Sequence, residues 1–260
     1  MKRIGIAGAA ALVILGAGLA EARPGDRLRE RIAKRLEQRA EGSAKRERAP
    51  GAQTFSYGPD PLQVMDFWAP AGAKNAPLVL YVHGGGWKRG SKDTAMGNAL
   101  PGHLRDQGYA FASINYRLVP AATVEQQASD VAQALAYLLA RADKLGIDRS
   151  KVVITGHSAG AHLVALVGTD EQYLRKAGLS FADINGVMPN DGAAYDVPQQ
   201  MEQAGRMMAD TYKQAFGTDP ARQKALSPTY HAAAPTPRAS SSSTSSARTA
   251  WHRRRNSARC

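Results

Sequence analysis

Two stretches of this sequence combine residue types and spacing that could do chemistry. The first is Gly156-His157-Ser158-Ala159-Gly160, entered from the β-branched apolar run of residues 151–155 and left through the small-residue stretch "AHLVALV". A serine hydroxyl is a weak nucleophile unless it is held clear of its neighbours and beside a base. Glycines two positions either side of the serine let the chain turn sharply from strand into helix, which presents the hydroxyl at the sheet edge. The plainer alternative is a tight turn in which Ser158 only caps the helix.

The second stretch is His83-Gly84-Gly85-Gly86-Trp87, at the end of the apolar run of residues 78–82. Acyl transfer needs donors aimed at the oxyanion of a tetrahedral intermediate. Consecutive glycines let backbone N–H groups approach that oxygen with no Cβ in the way. Gly84 and Gly85, joined by the N–H of Ala159 after the serine, would supply such a hole. A phosphate cradle is the competing use of a glycine triplet, but no Lys-Ser/Thr pair follows at the required spacing.

A nucleophile needs a base, and the only late histidines are His231 and His252. Neither has a setting that would aim an imidazole at Ser158. Asp191 and Asp196 follow the "INGVM" run and are the body carboxylates that could stand in for an acid. His157 and His162 are expected to pack rather than titrate in catalysis, and His83 to orient its loop through hydrogen bonds. Trp87 suits either an acyl pocket or ordinary core. Arg117, closing "NYRL", and Asp130, early in the following helix, are expected to form a structural pair.

The elements that must position these residues are legible as alternating strands and helices. "LQVMDFWAP" alternates and stops at Pro70. Residues 78–82 form a continuous apolar run, as in a strand covered on both faces. Residues 109–118, 151–155 and 184–188 read as further strands. Residues 125–141 carry Ala128, Val131, Ala132, Leu135, Leu138 and Leu139 at helical spacing. Strand–helix alternation predicts an α/β fold built on a parallel sheet of crossover units. No internal repeat is visible.

The net charge of +12 over 260 residues raises a nucleic-acid partner, so its location matters. The excess lies at the two ends: residues 49–237 hold sixteen basic and sixteen acidic side chains. A balanced body has no phosphate-tracking surface, which argues against nucleic-acid binding. Lys2-Arg3, the apolar residues 4–20 and Ala20-Glu21-Ala22 have the form of a signal peptide cleaved after Ala22. The run is short and glycine-rich for a membrane span. Export to a periplasm or the exterior is expected, with no stable anchor left after cleavage. Residues 23–50 read as a charged helical linker with a thin Leu28–Ile32–Leu36 stripe. The sole cysteine, Cys260, excludes an intrachain disulfide.

With "VHGGGW", "SINYRL", "GIDRSKVVITGHSAGAHL" and "FGTDPARQKALSPTYHA" in this order, residues 57–235 resemble the α/β-hydrolase carboxylesterases and lipases, near the hormone-sensitive-lipase-like and kynurenine-formamidase-like groups. The resemblance implies an α/β-hydrolase domain over residues 51–237. It further implies a serine hydrolase of small-molecule acyl esters, or aryl amides, that uses neither metal nor organic cofactor. Ser158 would be its nucleophile and Gly84, Gly85 and Ala159 its oxyanion donors. An acid and then a histidine should follow on later strands. Acyl and leaving-group preference and oligomeric state are not legible.

After "SPTYHAAAP" the resemblance stops, and residues 238–260 read as a basic Ser/Arg-rich tail. A run of TCN serine codons read in another frame encodes Phe, Leu, Ile or Val. With GC-rich third positions, residues 239–250 become Phe-Leu-Leu-Leu-His-Val-Gln-Arg-Glu-Asp-Ser-Leu, a buried strand followed by an acidic loop. The expectation is therefore a frameshift near Pro235, with the acid, the base and the last strands and helices missing. The alternative function that follows is a catalytically silent chain that retains only a small-ligand site.

Overall fold

A computed structural model describes residues 49–94 and 99–232. The expected signal peptide, nearly all of the charged linker, and the basic tail with His252 and Cys260 lie outside the described residues.

Six strands form one sheet in the order β1-β2-β4-β3-β5-β6. They are β1 (Gln53–Ser56), β2 (Val64–Trp68), β3 (Ala76–Val82), β4 (Ala110–Ile114), β5 (Ile147–His157) and β6 (Gly186–Asn190). The pairs β1/β2 and β2/β4 are antiparallel, whereas β3/β4, β3/β5 and β5/β6 are parallel. The expected α/β sheet is present and mostly parallel. β1 escaped the sequence reading because Gln53–Ser56 is a short, largely exposed edge strand with no buried face to impose alternation.

Period-2 geometry sorts the strand residues onto two faces. Met65, Phe67, Leu78, Leu80, Val82, Ala112, Ile114, Val152 and Ile154 share one face and are buried in the main core. That face is covered by α2 (Val124–Leu139) and α4 (Ala159–Thr169), which follows α1 (Ala99–Asp106) and α3 (Ala142–Leu145) in the chain. The opposite face carries Trp68, Tyr81 and Phe111, against which Leu100 and Leu104 of α1 pack.

α2 begins at a capping box: Thr123 Oγ1 accepts from the Gln126 N–H while Gln126 Oε1 accepts from the Thr123 N–H. All six of its expected core positions are buried. α4 is buried along nearly its whole length, which matches its unbroken apolar composition. α5 (Gln172–Lys176) precedes β6, and after β6 come α6 (Val197–Gln203), α7 (Arg206–Phe216), α8 (Pro220–Ala225) and α9 (Pro228–His231). Asp196 and Asp219 cap α6 and α8, with Pro198 at the second helical position of α6 and Pro220 at the first of α8. Among the described residues no strand pairs the outer edge of β6, where Met188 is 58% exposed.

Arg117 and Asp130 form the expected pair. The carboxylate is fully buried, accepts from Arg117 Nη2 at 2.6 Å and from the Arg117 N–H at 3.0 Å, and also accepts from Gln63 Nε2 at 2.8 Å. The Asp130 carboxylate beside it raises the pKa of the guanidinium.

Candidate active site

Ser158 stands between the end of β5 and the first turn of α4, with φ 53° and ψ −119°. For a residue with a Cβ this is a strained conformation that costs on the order of 1–3 kcal/mol. The cause is in the neighbouring glycines. A Cβ at Gly156 would overlap the Gly160 carbonyl, and a Cβ at Gly160 would overlap the carbonyl oxygens of Val82 and His83. Only glycines let helix, elbow and strand come this close. The Ser158 N–H donates to Asn190 O at 3.2 Å, so β6 helps to hold the turn.

The Ser158 side chain makes no capping hydrogen bond, which disposes of the plainer helix-cap alternative. Ala159 occupies the first helical position, where a backbone N–H has no partner within the helix. The helix dipole adds partial positive charge at the same point.

The Gly84–Gly86 loop lies against this elbow. A Cβ at Gly84 would stand 3.0 Å from Ser158 Cβ and 2.8 Å from His157 O. Gly85 adopts φ 127°, a region closed to other residues, and a Cβ there would overlap the Arg89 carbonyl. Together Gly84, Gly85, Gly86, His157 and Ser158 line a cleft of about 440 Å³. Its remaining wall comes from Tyr81, Trp87, Lys88, Arg89 and Ala193, and from Met208, Thr211 and Tyr212 of α7.

His83 is buried and braces the loop. Its Nδ1 lies 2.7 Å from Gly84 O; a carbonyl only accepts, so Nδ1 carries the proton. Its ring stacks on Tyr116 at 4.3 Å, and the Tyr116 hydroxyl donates to His83 O at 2.9 Å. Burial lowers the His83 pKa to about 4. His162 is fully buried and packs, as expected, with its pKa lowered to about 4 by burial. Trp87 combines both expected roles, since it is 1% exposed in the core and also borders the cleft.

His157 departs from expectation. Its side chain is 45% exposed on the cleft rim, and its Nε2 lies 3.8 Å from Asp191 Oδ2. It is the last residue of β5, where the strand's buried run ends. Asp196 does not join the cleft lining; its carboxylate accepts from the Gln199 N–H as a helix cap.

His231 is placed far from Ser158. Its Nε2 bonds Ala225 O at 2.9 Å and lies 3.8 Å from Asp170, at the opposite end of α4. Twelve residues of helix rise separate Asp170 from Ser158, roughly 18 Å. Among the described residues no imidazole hydrogen-bonds the Ser158 hydroxyl. Nor does any group of three or more His, Cys, Asp or Glu among them have the arrangement to hold a metal ion.

One feature of the site had no signal in the sequence. The four described non-glycine residues with positive φ are Trp87, Ser158, Asp191 and Ala194. Each lines the cleft or adjoins a residue that does. Backbone strain concentrates at functional sites because the surrounding structure must impose it.

Comparison with known families gives the elbow, the glycine loop and the sheet order a common context. The BD-FAE family model matches residues 65–234, well over half of the chain. The chain belongs to the BD-FAE family of α/β-hydrolase esterases. Esterase LipC of Mycobacterium tuberculosis is 39% identical over 122 residues, covering 45% of this chain and 30% of LipC. Kynurenine formamidase of Drosophila melanogaster is 32% identical over 111 residues, covering 43% of this chain and 36% of that protein. The matched segment thus spans about a third of the length of these relatives. The crystal structure of esterase B from Lactobacillus rhamnosis superposes with a TM-score of 0.59 at 23% identity, over 79% of this chain and 70% of that one. At that identity the likeness speaks for the fold. The BD-FAE match takes in the glycine loop, the elbow and α7, so every residue of the cleft falls within it.

Proposed function

We propose that this chain is by descent a serine hydrolase of small carboxylic esters, with Ser158 as nucleophile and the N–H groups of Gly84, Gly85 and Ala159 as oxyanion donors. Ser158 Oγ would attack the ester carbonyl carbon as its proton passes to a base. The carbonyl oxygen becomes an oxyanion beside the glycine loop, and its collapse expels the alcohol and leaves an acyl-serine. Water then repeats the sequence and releases the acid. The reading is carried by one observation: Ser158 is forced into a strained turn whose open side faces Gly84. The curated relatives named as esterases support the substrate class.

A second reading has its own support. His231, the late histidine among the described residues, sits at the wrong end of α4. A cleft without a base would bind a small acyl ligand and turn nothing over. Treating the purified chain with an organophosphonate separates the two. Stoichiometric adduct on the peptide containing Ser158 requires a working base, whereas an unmodified Ser158 favours the binding-only reading.

For location, the Ala20-Glu21-Ala22 sequence supports export to a periplasm or the exterior. Among the described residues no helix is long and apolar enough to cross a membrane. N-terminal sequencing of the chain from a bacterial host should give a product beginning at Arg23; an intact Met1 terminus in the cytoplasm would refute export.

A further inference from the structure

We propose that the cleft selects esters carrying an anionic group, held by Lys88 and Arg89. The inference rests on the hydrolase reading of Ser158 and concerns which substrates that site takes.

Lys88 and Arg89 are the lysine and arginine in the cleft lining, and no carboxylate stands among the lining residues. Neither cation makes a side-chain hydrogen bond or ion pair with another described residue. Three other bases around the sheet are already paired: Lys92 with Asp66, Arg117 with Asp130 and Arg222 with Glu125. Asp191 approaches the cleft from beyond His157, but its carboxylate is 89% exposed and directed to solvent.

Position gives the pair its meaning. The Arg89 backbone and its Cγ lie against Gly85, since a Cβ built on Gly85 would come 3.2 Å from Arg89 Cγ. The two cations therefore follow the oxyanion loop directly and face the same space as Ser158. The body of the chain is otherwise balanced at sixteen charges of each sign, so this positive patch is local. The first turn of α4 adds to it at the serine. A neutral ester would leave both cations solvated and idle, whereas a carboxylate on the acyl or alcohol portion would be drawn to them.

The test uses binding, which needs no catalytic base. Monomethyl glutarate, a monoanion at pH 7, and dimethyl glutarate, its neutral counterpart, are titrated into the full chain while amide shifts of Gly84, Gly85 and Ala159 are followed. The monoanion should bind about fivefold more tightly or better at low salt, as expected for partly exposed charge pairs. That preference should shrink as salt is raised. K88A/R89A should bring the two esters to the same affinity, and K88E/R89E should favour the neutral one. Both side chains are exposed, so these variants should fold, as thermal melts will verify. Equal affinity in the wild-type chain, or a preference that survives K88A/R89A, overturns the anion assignment alone. No shift at those three amides with either ester overturns it together with the hydrolase reading.

Discussion

The indole Nε1–H of Trp87 donates to Nδ1 of His162 at 3.3 Å, and Nε2–H of the same imidazole donates to Leu226 O at 2.8 Å. One neutral side chain thus ties the glycine loop to α4 and both to the end of α8. The tautomer follows from the partners, because an indole only donates and a carbonyl only accepts. The Trp87 backbone is held as well: its carbonyl accepts from Gln127 Nε2 at 2.8 Å and from the Val119 N–H at 3.0 Å.

A pH dependence follows from this arrangement. His162 and His83 have folded-state pKa values lowered by burial to about 4, below the ordinary 6.5. Between those values the unfolded chain binds their protons and the folded chain does not, so stability rises with pH there. The contribution is full above about pH 6.5, is lost as pH falls toward 4, and changes no further below. Urea midpoints measured from pH 7 to 4 should report up to about two protons taken up on unfolding from these residues. H162Q keeps a donor for Leu226 O and should remove about one of them. An unchanged pH slope in H162Q would show that His162 is not neutral in the folded chain.

Asp130 presents a different kind of buried charge. Its carboxylate is inaccessible, whereas the Arg117 side chain is 25% exposed. Removing one partner of a buried pair typically costs about 3–5 kcal/mol, because the other charge is stranded. R117A should fall near the top of that range, since Gln63 Nε2 and the backbone N–H of residue 117 are neutral donors and cannot neutralise the carboxylate. D130A should cost less, because solvent reaches the freed guanidinium. Chemical denaturation of the two variants checks the order; D130A as the worse of the two would contradict the assignment of the desolvation cost to Asp130.

How much of this was legible in the sequence depends on what each residue's neighbours share with it in the chain. Ser158 and Gly84 announced themselves because strand, turn and helix chemistry are local, and α2 was readable from Ala128 to Leu139 because one face is buried continuously. The Arg117–Asp130 pair was readable because a strand end and the next helix have few ways to meet. α7 was not. Met208, Thr211 and Tyr212 form a cleft wall through contacts with a loop more than a hundred residues earlier, and nothing within α7 signals that. The bond from His162 to Leu226 is equally non-local. His157 was misjudged for the opposite reason: it adjoins a buried strand, but the strand ends at it.

Gly160 offers a steric test of the elbow. A Cβ there would meet the backbone oxygens of Val82 and His83, which cannot rotate away, so G160A must lift α4 from β3. Overpacking of this kind costs about 1–3 kcal/mol, or a fall in melting temperature of roughly 2–12 °C. At Gly168 the obstacle is the Val187 side chain at 2.6 Å, which can rearrange, and at Gly186 it is an ordinary 3.5 Å contact. The melting temperatures should therefore rank G186A above G168A above G160A. A G160A melt matching that of G186A would mean that the helix does not approach β3 as closely as the structure places it.

Activity is the last prediction, and it turns on the hydroxyl of Ser158. Triad members act as a unit, and without the histidine only oxyanion donors and binding remain, worth about 10³- to 10⁴-fold over water in well-studied enzymes. The 260-residue chain should hydrolyse an activated short-chain aryl ester at no more than that residual level. S158A should change little, because an unassisted serine contributes little. Reading the tail in the alternative frame after Pro235 replaces a polar run with an apolar strand and an acidic loop. Its natural seat is the open edge of β6, beside Met188. The restored chain should gain orders of magnitude in turnover, become dependent on Ser158, and protect Met188 from oxidation by peroxide. Full turnover by the 260-residue chain as it stands would refute the frameshift account. A restored chain that leaves Met188 as reactive as before would show that the new segment does not extend the sheet.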